Sequence, residues 1–122
     1  MKIALGMDHR GVEIGRALMD HLAGSGHEPL LLGPCDEESC DYPDVTYPVA
    51  RAVAQGDAER GILICGTGIG ASIVANKVAG IRAALVHDEN TAELSRRHND
   101  ANILCVAGDS NSNQQVFEIV DV

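Results

Sequence analysis

Short apolar runs alternate with stretches of helical periodicity along the whole 122-residue chain. Lys2–Met7 (KIALGM) has the length and aliphatic content of a strand. In Gly11–Ala23, Val12, Ile14, Ala17, Leu18 and Leu22 fall on or near one helical face, and Gly24-Ser25-Gly26 stops the helix. Glu28–Leu32 predicts a second strand. Gly33–Asp44, rich in Gly, Pro, Asp and Cys, predicts a loop. The pattern then continues with a helix at Tyr47–Ala54, a strand at Gly61–Cys65 (GILIC), a glycine-rich turn at Gly66–Gly70 and a helix at Ala71–Val78. Arg82–Val86 reads as strand four, Asn90–Arg97 as a helix, Ile103–Ala107 as strand five and Gln114–Val122 as a last helix.

Five β-α units without hairpin signals imply one α/β domain over residues 1–122. The expected fold is a three-layer, Rossmann-like, five-stranded parallel sheet of order 2-1-3-4-5, with helices on both faces. Composition agrees: 45 % of residues are hydrophobic, but there is no Trp, one Phe and two Tyr. The core must therefore be built from Ala, Val, Ile and Leu, which suit strands buried on both faces.

A net charge of −9 argues against nucleic acid and anionic membranes as partners. It leaves room for a small anionic substrate held by backbone N–H groups. Met1-Lys2 runs straight into strand one, so no secretory leader is expected, and no stretch is long enough to span a bilayer. Cys35, Cys40, Cys65 and Cys105 follow no metal or disulfide spacing, as expected for free thiols of a cytoplasmic protein.

Ligands of open parallel sheets bind beyond the carboxyl ends of the strands, where strand order reverses. That point lies between strand one, which ends in Asp8-His9, and strand three, which ends in Cys65-Gly66-Thr67-Gly68-Ile69-Gly70. Glycines let a ligand approach the main chain, and unpaired amides there can hold a phosphate or a developing oxyanion. A thiol at such a strand end is expected to have a lowered pKa and to serve as base or nucleophile. His98 follows the fourth helix, which runs antiparallel to the strands and so delivers it to their amino ends. A five-residue strand spans roughly 17 Å, beyond reach of Cys65 in the same chain. If both residues act together, a neighbouring subunit must supply His98. A nucleotide-binding reading competes: Gly66-x-Gly68-x-x-Ala71 fits a dinucleotide fingerprint, with Asp88 as the ribose-binding acid. That reading gives Cys65 no purpose and leaves too little chain for two mononucleotide-binding halves.

The chain resembles ribose-5-phosphate isomerase type B and the galactose-6-phosphate isomerase subunits. The matching residues are Asp8-His9, Asp41-Tyr42-Pro43, ILICGTGIG at 62–70, Ala75-Asn76-Lys77, Gly80-Ile81-Arg82-Ala83 and Leu94–Asn102 (LSRRHNDAN). The resemblance implies a cofactor-free and metal-free aldose–ketose isomerisation of a sugar phosphate through an enediolate, with ribose 5-phosphate the default substrate. Cys65 would be general base and acid. Gly66, Thr67, Gly68, Ile69 and Gly70 would stabilise the enediolate oxygen. His98, with Asp8, would open the sugar ring. His9 would face the phosphate or a hydroxyl, Asn99 would bind substrate, and Tyr42 would line the pocket. His98 and Asn99 would come from the partner in a homodimer, or within a tetramer. The sequence departs from the family after strand five, where relatives carry an arginine and this chain has Asp109. Relatives also continue into a further arginine-bearing C-terminal segment, which is expected to be missing here. Weaker phosphate affinity, a different substrate, a truncated chain lacking full activity, or a non-catalytic sugar-phosphate-binding or partner subunit on the same fold follow as expectations.

Overall fold

The structure is a computed structural model that describes residues 1–33, 42–109 and 111–122. Strands and helices alternate among the described residues as β1 Lys2–Met7, α1 Val12–Gly24, β2 Glu28–Gly33, α2 Tyr42–Gln55 and β3 Arg60–Cys65. They continue as α3 Ile69–Ala75, β4 Ala83–Leu85, α4 Glu89–Arg97, β5 Ile103–Ala107 and α5 Asn113–Asp121. Every strand pair is parallel.

The sheet order is β2-β1-β3-β5-β4, which corrects the expected order at its last two places. Right-handed crossovers permit either arrangement, and burial decides between them. Ile103, Cys105 and Val106 are all but sealed from solvent, so β5 belongs inside the sheet. β4 has only three residues, all half-buried, which suits an edge. The Asn76 side chain shields that edge. Its amide nitrogen donates to the Ala83 carbonyl at 3.0 Å, and its oxygen accepts from the Ala83 N–H at 2.9 Å. The reversal point between β1 and β3 survives the correction, and with it the expected position of the site.

Strand alternation divides the core into two layers. Ile3, Leu5, Met7, Ile62, Ile64 and Val106 pack towards α1, α4 and α5. Ala4, Leu63, Cys65, Ile103 and Cys105 face α2 and α3. Each fully buried Leu or Ile contributes about 1.5–3 kcal/mol relative to exposure. The alternation sets the direction of Cys65: as the last residue of β3, its side chain lies on the α3 side.

Two helix starts differ from the sequence reading. α2 begins at Tyr42 rather than Tyr47, because Pro43 fits a first helical turn. Pro48 is then interior and cannot donate a helical hydrogen bond. α3 begins at Ile69 rather than Ala71, because Gly68 takes φ 82° and caps it. The glycine turn is thereby shortened, and Ile69 and Gly70 belong to the first turn of α3. At the start of α4, Asp88 accepts from the Thr91 N–H at 2.7 Å and from its hydroxyl at 2.8 Å. Those two bonds hold the Asp88 carboxyl below its ordinary pKa.

Gly6 shows how closely α2 approaches the sheet. A Cβ there would lie 2.6 Å from the Val45 carbonyl oxygen and 2.9 Å from Val49 Cγ2. Gly6→Ala is expected to destabilise the fold by about 1–3 kcal/mol, read as a lowered urea midpoint at constant m-value. An unchanged midpoint would contradict this packing.

Candidate active site

The carboxyl ends of β1, β3 and β5 are stitched together by main-chain bonds. Asp8 N–H donates to the Ile64 carbonyl at 3.1 Å, Gly108 N–H to Cys65 at 2.7 Å, and Asp109 N–H to Gly66 at 3.1 Å. The segments after all three strands therefore share one surface. Asp8 is buried, and its Oδ1 accepts from the Arg10 N–H at 2.9 Å. This local turn fixes the carboxylate and sets the exit of the chain into α1. His9, next along, is half-buried and engaged in an interaction of its own.

Cys65 is 5 % exposed, but its sulfur is not isolated in the apolar layer. Sγ accepts from the Gly68 N–H at 3.2 Å. Such a bond strengthens when the acceptor carries charge. Gly68 itself takes φ 82°, and a Cβ there would lie 2.5 Å from Leu85 Cδ1, which is why glycine stands there. Thr67 is exposed, and its hydroxyl accepts from the Ile69 N–H at 3.2 Å. Two loop amides thus point at polar side-chain atoms that a substrate oxygen could replace. Cys105, directly behind on the same face, is fully buried, and burial first, then the neighbouring Cys65, pushes its thiol up to about 12. Cys105 is thus a neutral structural thiol.

Three comparisons with known proteins agree. The ribose/galactose isomerase family model matches residues 3–122. The chain belongs to that family. Ribose-5-phosphate isomerase B of Escherichia coli is 48 % identical over 103 residues, covering 84 % of this chain and 69 % of the relative. Galactose-6-phosphate isomerase subunit LacB of Clostridium acetobutylicum is 38 % identical over 122 residues, covering 100 % and 70 %. The Clostridium thermocellum ribose-5-phosphate isomerase B structure superposes with a TM-score of 0.97 at 47 % identity, covering 99 % of this chain and 82 % of that one. The Mycoplasma genitalium enzyme, solved with bound ribulose 5-phosphate, gives 0.93 at 39 % identity, covering 98 % and 80 %.

In this isomerase-family chain His98 and Asn99 are not at the crevice. His98 caps the C-terminus of α4 and is exposed. The Asn99 carbonyl accepts from Arg82 Nε at 2.6 Å, just before β4. Both sit at the amino ends of the strands, separated from Cys65 by roughly 17 Å of strand. The structure brings together Asp8, His9, Cys65 and the 66–70 loop, and leaves His98 and Asn99 apart from them. The Tyr42 side chain, Cys35 and Cys40 lie outside the described residues. A cavity of about 460 Å³ opens at the amino end of the sheet among Ile3, Leu22, Arg60, Ile103 and Ile119. A second, of about 350 Å³, lies beside Asn76, Arg82 and Asn99, and neither includes Cys65. Among the described residues no helix is long and apolar enough to cross a membrane.

One feature of the crevice is absent from the sequence reading. Arg10 Nη2 and Asp109 Oδ2 form an ion pair beside Gly66. The two residues lie 99 positions apart, and no local signal in the sequence announces their pairing. Only the observed order, with β1 and β5 on either side of β3, brings these opposite charges together.

Proposed function

We propose that the chain interconverts ribose 5-phosphate and ribulose 5-phosphate in the cytoplasm, as a homodimer, through an enediolate. The observation that carries this is Cys65 Sγ against the Gly68 amide at 3.2 Å, where β1 and β3 diverge, in a chain of the isomerase family. The ribulose 5-phosphate bound by the Mycoplasma genitalium relative supports the substrate class.

The chemistry needs one base and one oxyanion site. Once the sugar is open, the Cys65 thiolate takes the C2 proton. The C–H electron pair becomes the C1–C2 double bond, and the carbonyl pair moves onto O1. Amides of Gly66, Thr67, Gly68, Ile69 and Gly70 receive that charge, with the Thr67 hydroxyl assisting. The thiol formed at Cys65 then gives its proton to C1 as the O2 hydroxyl proton passes to O1 and C2 becomes the carbonyl. No electron leaves the substrate, and the scheme uses neither metal nor organic cofactor. His98 of the neighbouring subunit, with Asp8, opens the ring. Asn99 of that subunit and His9 hold hydroxyl or phosphate oxygens, and Tyr42 lines the pocket.

The test is turnover of ribose 5-phosphate beside galactose 6-phosphate and allose 6-phosphate, followed by NMR in D₂O. Ribose 5-phosphate is expected to give the highest kcat/KM, with deuterium entering at C1 of the ketose. Absence of turnover on every aldose phosphate would sink the reading.

A further inference from the structure

Resting on the isomerase reading above, we propose that Asp109 sets the affinity for the sugar phosphate by competing with the substrate's phosphate for the Arg10 guanidinium. The two side chains come from the ends of β1 and β5, and their ion pair bridges over the end of β3. A Cβ on Gly66 would lie 3.0 Å from Arg10 Nη1 and 3.1 Å from Asp109 Oδ2. The pair therefore rests on the main chain of the residue that follows Cys65. The guanidinium thus stands beside the first residue of the 66–70 loop, which receives the substrate in the reading above.

The backbones on both sides are held. Arg10 N–H is fixed by Asp8 Oδ1, and Asp109 N–H by the Gly66 carbonyl. What can exchange is the side-chain pairing. Arg10 is 55 % exposed and Asp109 34 %, so water screens the pair and it opens at small cost. A phosphate dianion matches the guanidinium fork as well as a carboxylate does, and carries more charge. On release, however, Asp109 stays beside the bound phosphate and repels it. Both the competition and the repulsion raise KM, and neither touches the proton transfer at Cys65.

The experiment measures KM and kcat for ribose 5-phosphate, and direct binding of inorganic phosphate by equilibrium dialysis. The proteins are the parent chain, Asp109→Asn, Arg10→Gln and the double variant. Asp109→Asn is expected to lower both KM and the phosphate Kd about three- to tenfold, with the gain in KM rather than kcat. Arg10→Gln is expected to raise both about tenfold. In the Arg10→Gln background the benefit of Asp109→Asn shrinks to about twofold, which a purely through-space repulsion would not produce. The proposal is overturned if Asp109→Asn leaves both constants unchanged, or if its benefit is equal in the two backgrounds. Should no aldose phosphate be turned over, the isomerase reading fails while phosphate dialysis still decides the role of Asp109. Equal phosphate Kd values, or no phosphate bound by any of the four proteins, would then refute it.

Discussion

Cys65→Ala is expected to lower kcat for ribose 5-phosphate by about a thousandfold or more, the scale of a lost general base. The Kd for ribose 5-phosphate is expected to stay within about threefold of the parent value, because no assigned binding group is removed. Cys65→Ser separates chemistry from packing. Serine nearly preserves the shape and can still accept from the Gly68 N–H, but its hydroxyl is a far poorer acid and base. It is expected to be as inactive as alanine. Cys105 cannot substitute, since its buried thiol is pushed up to about 12 and stays protonated. The folds of both variants are checked by urea unfolding, where truncating one buried thiol is expected to cost about 1 kcal/mol. If Cys65→Ser retained a tenth or more of parental turnover, the proton would have to be carried elsewhere.

The legible parts of this molecule were those encoded locally. β1 and β5 fall where their apolar runs predict, because short runs such as Ile3-Ala4-Leu5 and Ile103–Ala107 between polar or glycine-rich stretches suit buried strands. Gly68 was legible for a similar reason: a left-handed residue at a strand–helix junction calls for glycine. Strand order was less so. Nothing in Ala83–Leu85 or Ile103–Ala107 states which is inside; the difference lies in burial, and in Asn76 covering the Ala83 edge. The start of α2 was hidden because Tyr42-Pro43-Asp44 has the composition of a turn and also of a helix N-terminus. The Arg10–Asp109 pair was the least legible, since a contact between chain positions so far apart exists only once β1, β3 and β5 lie side by side.

Mixing Cys65→Ala with His98→Ala is expected to restore activity that neither variant has alone. The argument begins with distance. Cys65 pairs with Ala107 at the carboxyl end of the sheet. His98 is tied to Leu94 and closes α4 beside the amino ends of β4 and β5. The α4 helix would have to unwind to carry His98 across the sheet, which breaks the Ser95 and Arg96 contacts to Ala101 that anchor it. A second copy related by a two-fold axis meets the requirement with no such cost, and each dimer then holds two sites, both built from two chains. In a dimer of one Cys65→Ala and one His98→Ala chain, one site collects both defects and the other collects neither. Random re-pairing of equal amounts puts half the protein into mixed dimers, so about a quarter of the parental sites return. Mixed dimers are counted by native mass spectrometry on variants of distinct mass, and initial rates are read on the same sample. The double variant mixed with parent chain is the control: its mixed dimers hold two sites with one defect each, so it adds no activity beyond the parental dimers present. A mixture that forms mixed dimers and stays inactive would place all the ring-opening and proton-transfer groups within one chain, whereas a His98→Ala variant active on its own would remove His98 from the mechanism.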